Sequence, residues 1–219
     1  TTGGPSRYPA NPPARRRAEA RTHAGVARAP EPAGASPAGA SPVRVPGTET
    51  FLINPRCAPN LCELDDISTV DLNTGKRVEG PGPIPGESAI HIGILRRNPQ
   101  AITALHCHPR YTVLMSVLNS PIIPFNNEAQ TFAQGLGYYP ESHQVDTEER
   151  GNALAEAIGD QWVGLQRGHG MSAGGISIQG IVRMAIRLER VCEDQLTLMR
   201  LGVEIPPLDN TDQAQTAAL

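Results

Sequence analysis

Leu105-His106-Cys107-His108-Pro109 is the stretch from which the rest of the chain is read. Ala101-Ile102-Thr103-Ala104-Leu105 leads into it, apolar and partly β-branched, as a buried strand is. On an extended strand, residues i and i+2 point to one face, so the imidazoles of His106 and His108 can serve one metal ion. Pro109 ends the strand and leaves both rings at its carboxyl end, where open α/β sheets place their sites. Cys107 alternates to the opposite face and reads as a small buried apolar residue. Taken alone, the histidine pair is a weak signal, because either ring can equally hydrogen-bond inside a core.

A third histidine shifts that balance. Arg167-Gly168-His169-Gly170 follows a second strand-like run, Trp162-Val163-Gly164-Leu165, and its two glycines permit unusual dihedrals and close approach. Three imidazoles fill three positions of a catalytic metal and leave the others for water or substrate.

Outward from these runs, a length of 219 residues and a net charge of -3 fit one domain with tails. No apolar run is long enough to span a bilayer, and Thr1 to Thr50 lacks the apolar core of a signal peptide. The expectation is a soluble, cytoplasmic protein with a small-molecule substrate and neither a membrane nor a nucleic-acid partner. Cys57, Cys62, Cys107 and Cys192 form no zinc-ribbon or CxxC pattern and read as reduced thiols.

Residues 1–42 are of a different composition, crowded with Pro, Ala, Arg and Gly, and Gly34-Ala35-Ser36-Pro37 recurs as Gly39-Ala40-Ser41-Pro42. Such a segment cannot bury enough apolar surface to offset its ordering entropy, so disorder is expected. The arginines at 7, 15, 16, 17 and 21 offer the alternative of a basic arm, but Tyr8 alone accompanies them. These are also the residues of GC-rich codons, which suggests a shifted reading frame; the hypothesis fails if neither other frame of the coding DNA encodes an amphipathic helix upstream of Val43.

In the ordered part, Phe51-Leu52-Ile53-Asn54 and Thr69-Val70-Asp71-Leu72 are expected to pair as a meander at one end of a mostly antiparallel sheet. Gly80 to Gly86 is a loop, and a helix starts after it with Ile90, Ile94 and Leu95 at helical spacing, ending near Asn98-Pro99. Glu87 falls in the first turn of that helix, where a carboxylate at minimum complements the helix dipole. His91 shares its face at i+4 and reads as a structural histidine orienting that carboxylate. Further helices are expected over Tyr111 to Leu118, over Thr147 to Ile158 and, amphipathic and long, from Ser177 to Pro206-Pro207. Pro121 to Phe125 reads as a strand, Gly174-Gly175 as a turn, and Asp209 to Leu219 as a polar tail.

Taken in order, Pro85-Gly86-Glu87-Ser88-Ala89-Ile90-His91, His106-Cys107-His108-Pro109, Gly168-His169-Gly170 and a long final helix resemble the class II aldolase/adducin family. The resemblance runs from about Val43 to about Pro207, which delimits a metal-binding domain over 43–207. It implies a three-layer α/β/α sandwich around a mostly antiparallel sheet, a homotetramer, and a divalent ion, Zn first, with Mn or Fe as alternatives. By position His106, His108 and His169 match the metal ligands, and Glu87 matches the acid that handles protons. Gly86, Glu128 and Tyr138 are the candidates for substrate contact. The opening helix of that family, and the substrate-binding turn of its first strand, have no counterpart upstream of Val43.

A metal held by neutral imidazoles keeps its charge and can stabilise an enolate, an intermediate shared by aldol cleavage, epimerisation and decarboxylation. Sugar-phosphate aldolases of the family carry hydroxyl residues just before the acid, where this chain has Pro85 and Gly86. The reading is therefore a lyase on a non-phosphorylated hydroxy acid, by decarboxylation or aldol cleavage. Alternatives are an Fe(II) oxygenase acting on an aromatic pyruvate and an adducin-like binding module without enzymatic activity, against which the metal ligands argue.

Overall fold

A computed structural model describes residues 41–55 and 61–209; the expectations for residues 1–40, for Cys57 and for residues 210–219 lie outside them. The described residues form one sheet of eight strands. These are β1 (Val43–Arg44), β2 (Thr50–Ile53), β3 (Ser68–Asp71), β4 (Arg77–Glu79), β5 (Thr103–Cys107), β6 (Gly137–Tyr139), β7 (Val163–Gln166) and β8 (Gly170–Gly175). Their order is β4-β3-β2-β1-β5-β8-β7-β6, antiparallel throughout except for the parallel pair of β6 and β7. The expected meander is its β2–β3 edge, extended by the short β4 and β1.

Helices cover both faces. On one side lie α1 (Ser88–Arg97) and, after two further helices, α4 (Glu148–Ile158); their Ile90, Ile94, Leu95, Leu154 and Ile158 pack on Phe51, Val70 and Ala104. A Cβ on Gly93 would run into the Gly151 carbonyl, and one on Gly151 into that of Ala89, so these helices cross backbone against backbone. On the other side, α2 (Arg110–Leu118), α3 (Asn127–Gln130) and α5 (Ile178–Arg200) set Met115, Ala129, Ile181, Leu188 and Val191 against Leu105, Val163, Leu165, Met171 and Ala173. The alternation along β5 is therefore literal: Ala104 belongs to one layer and Leu105 to the other. This is the three-layer α/β/α sandwich.

Three expectations are corrected. Gly174-Gly175 is not a turn but the end of β8, a central strand of Gly, Met, Ser and Ala that carries no β-branched residue. Small side chains stand there because helices approach both faces: a Cβ on Gly174 would lie 3.1 Å from Ile94 and one on Gly175 3.2 Å from Ile181. Pro121 to Phe125 forms no strand. Its two prolines lack ladder donors, and the buried Gln195 side chain bonds the segment instead, accepting from Ile123 N at 2.9 Å and donating to Pro121 O at 2.8 Å. The final helix stops at Arg200, well before Pro206, where Gly202 takes φ 68° and its amide bonds back to Met199 O.

Candidate metal centre

Four side chains meet at the carboxyl end of β5: Glu87, His106, His108 and His169, whose nearest ligand atoms all lie within 4.8 Å of one another. Each arrives by a different local device. His106 sits in β5 on the α1 side, and His108 follows one strand step later on the same face. His169 lies in the reversal between β7 and β8, which Gly168 closes at φ 62°, a left-handed conformation suited to glycine. Ser116 of α2 anchors this turn by accepting from Gly168 N at 2.9 Å. At Gly170 the strands are so close that a Cβ would strike the Cys107 carbonyl and lie 2.7 Å from His108 Cδ2, so this position admits hydrogen only.

Glu87 is one residue earlier in its helix than the sequence indicates, at the N-cap of α1 rather than in the first turn. An N-cap carboxylate ordinarily accepts from the amides of its own helix. Here the side chain makes no capping bond. Its Oε1 lies 3.3 Å and its Oε2 3.8 Å from Nε2 of His169 and His106, respectively. Oε1 is buried, without a partner of hydrogen-bond geometry.

The imidazoles fit a cation for the same reason. His106 Nε2 lies 2.9 Å from His108 Nε2 and 3.4 Å from His169 Nε2. In the tautomers that leave all three Nε2 atoms unprotonated, three lone pairs and a carboxylate face one point and repel one another unless a cation stands among them. Ser172 Oγ, 2.8 Å from His106 Nδ1 and buried with it, can accept a hydrogen bond from that nitrogen, an arrangement compatible with the tautomer whose Nε2 lone pair points inward. Burial lowers the pKa of His106 to about 3, and burial followed by the neighbouring His169 lowers that of His108, so both stay neutral. Glu87 acts oppositely on His169: the close approach of this carboxylate to its Nε2 raises the ring above its ordinary value. Burial pushes the Glu87 carboxyl up, but the surrounding histidines outweigh it and hold the group below the usual range. The group is a divalent-metal-binding cluster of three histidines and one glutamate.

Other candidates lie apart from it. Glu128 is on α3, 4.0 Å from Arg190 Nη1. Tyr138 packs with the α5-side core, and its hydroxyl donates to Ser116 O at 3.2 Å, so it braces α2 rather than facing the four ligands. Gly86 directly precedes Glu87, with Gln144 Nε2 3.7 Å from where a Cβ would be. His91 is buried and its Nδ1 has no hydrogen-bond partner among the described residues, so it does not orient Glu87 by a bond from that nitrogen; burial lowers its pKa to about 4. His143 pairs with Glu141 at 3.0 Å and stays outside the cluster. Cys107 faces away as expected, and burial raises its thiol to about 12.

Two supporting residues carry no local sequence signal. Ser172 is 66 positions from His106. Glu189 of α5 accepts from the amides of Tyr111 and Thr112 at 2.9 and 2.8 Å and from the Thr112 hydroxyl at 2.7 Å. It thereby caps α2, whose own N-cap is Pro109, and fixes the chain just past His108.

Residues 35–196 match the model of the family described as Class II Aldolase and Adducin N-terminal domain. The chain is 26% identical over 162 residues to the 3,4-dihydroxyphthalate decarboxylase of Arthrobacter keyseri, covering 70% of this chain and 65% of that one. Identity to the 3,4-dihydroxyphthalate decarboxylase of Terrabacter sp. (strain DBF63) is 28% over 147 residues, 63% of this chain and 61% of that one. The chain thus matches less than two thirds of the length of either relative. The L-fuculose-1-phosphate aldolase from Thermus thermophilus superposes with a TM-score of 0.67 at 27% identity, over 89% of this chain and 100% of that one. The L-fuculose 1-phosphate aldolase from Glaciozyma antarctica reaches 0.76 at 22% identity, over 97% and 85% respectively, a likeness of fold.

Proposed function

Because the chain belongs to the Class II Aldolase and Adducin family, we propose that it is a metal-dependent carbon–carbon lyase decarboxylating a non-phosphorylated hydroxy-aromatic carboxylate. The observation that carries this reading is the convergence of Glu87, His106, His108 and His169. Bound there, a divalent cation polarises a substrate oxygen and lowers the energy of the negative charge released when a carbon–carbon bond breaks. Three imidazoles suit zinc, the ion we assign.

The chain's own residues do the rest. His106, His108 and His169 would hold the ion, and Ser172 would steady the His106 ring through its contact with Nδ1. Glu87, ionised below the usual carboxylate range, takes the proton of the substrate hydroxyl on its buried Oε1. As CO2 departs, the bonding pair stays on the ring carbon, and Glu87 returns the proton to that carbon. The absence of hydroxyl side chains at Pro85 and Gly86 argues against a phosphate at the start of α1. The two relatives named as decarboxylases favour loss of CO2. Aldol cleavage is the second reading, supported by the Thermus thermophilus aldolase that the chain matches over its full length.

We assign the activity to residues 43–207. The exposed apolar residues Leu114, Val117 and Leu118, on one face of α2, support a homo-oligomer, a tetramer by family resemblance. No described helix is long and apolar enough to cross a membrane. Elemental analysis and CO2 release from dihydroxybenzoates test the proposal. About one zinc per chain together with CO2 formation supports it. Bound metal with hydroxy-acid cleavage and no CO2 supports the aldol reading, and absence of metal from the folded protein overturns both.

A further inference from the structure

We propose that a cleft beside α5, away from the histidines, is a second ligand site for a small amphipathic anion, an apolar body carrying a carboxylate or phosphate. The cleft has a volume of about 540 Å³, within the range of small-molecule sites, and Phe132 and Met184 contribute to its apolar lining. Arg183 and Arg187, one helical turn apart on α5, are the charged residues that line it; no acidic residue does. Arg183 has no ion-pair partner among the described residues, and Arg187 donates to the neutral hydroxyl of Thr131 at 2.9 Å. Two like charges at i and i+4 repel, so their juxtaposition is relieved by an anion between them. Gly180, in the first turn of the 23-residue α5, also lines the cleft; its amide already donates to Ser177 Oγ at 3.1 Å, so the two arginines carry the charge offered to a ligand.

This place is distinct from the metal centre in two directions. Val163, at the start of β7, borders the cleft, whereas His169 follows the far end of that strand, Gln166. Three strand steps separate Val163 from Gln166, on the order of 10 Å. The cleft also abuts the layer of Phe132 and Met184, on the α5 side, while His106 faces α1. A ligand here would therefore not compete for the four metal ligands, and the proposal stands independently of the reaction assigned to them.

Calorimetric titration of the full chain with phthalate and with phenyl phosphate tests the site, using His106→Ala to remove binding at the metal centre. Saturable binding of either probe to His106→Ala, weakened about tenfold or more by adding Arg183→Gln and Arg187→Gln, is expected. The stronger probe identifies the headgroup. Both arginines are exposed, so the variants should keep the parent's circular dichroism and melting temperature. No saturable binding to His106→Ala, or binding unaffected by the arginine changes, overturns the proposal. So does a mass that rises with protein concentration only while the arginines are present, which would assign the cleft to a second copy of the chain.

Discussion

The two faces of strands β5 and β8 differ in chemistry, one apolar and closed, the other polar and ending at the histidines. Toward α5 they present Leu105, Cys107, Met171 and Ala173, a closed apolar layer. Toward α1 they present His106 paired with Ser172, ending at the ligand cluster. Burial keeps the ionisable residues of both faces neutral, with Cys107 raised to about 12 and His106 lowered to about 3. Only on the α1 face do neighbours supply a carboxylate and more imidazoles, turning a desolvated ring into a ligand. The apolar face holds the strands in register; the polar face uses that register.

Breaking each face separately should separate these roles. His106→Ala should remove bound metal and lower activity by at least about 10³-fold, checked by elemental analysis and steady-state rates. Met171→Ala, at a fully buried position, should destabilise the fold by about 2–5 kcal/mol in urea denaturation while the folded fraction keeps its metal. Loss of metal stoichiometry in that folded fraction would merge the two roles.

A pH test sharpens the comparison. His91 is buried neutral with its pKa lowered from 6.5 to about 4, so the unfolded chain binds its proton first as pH falls. Its contribution is present above pH 6.5 and is lost on descending toward pH 4, by up to about 3 kcal/mol. His91→Gln should flatten the pH dependence of stability in that window; an unchanged slope would place the effect elsewhere. The smallest expected change is Ser172→Ala, which should weaken metal affinity about 10–100-fold and lower the stability of the chelated protein by about 1–3 kcal/mol, because His106 Nδ1 loses its buried partner. Competition with a zinc chelator measures it.

How much of this was legible along the chain depends on distance in sequence. His106 and His108 declare a shared face by the two-residue period of a strand, and the glycines around His169 declare a tight reversal. α1, α2, α4 and the start of α5 were readable from periodicity, and Thr147 caps α4 as its residue type suggests. β8 was not readable, because its small residues answer to helices packed above and below it rather than to strand propensity. Pro121 to Phe125 misled for the converse reason: apolar and short, it looks like a strand, yet Gln195 supplies its hydrogen bonds from more than 70 residues away.

The sequence by itself determined that one strand carries two histidines on one face and where the main helices lie, since these follow from side-chain chemistry and local period; the set of metal ligands and the three-layer sandwich came from the family resemblance. Only the tertiary structure decided that Glu87 forgoes its own helix to face the imidazoles, that Ser172 meets Nδ1 of His106, and that Glu189 caps α2 behind His108. Those are matters of orientation across tens of residues, and no local propensity encodes the direction in which a side chain meets a distant partner.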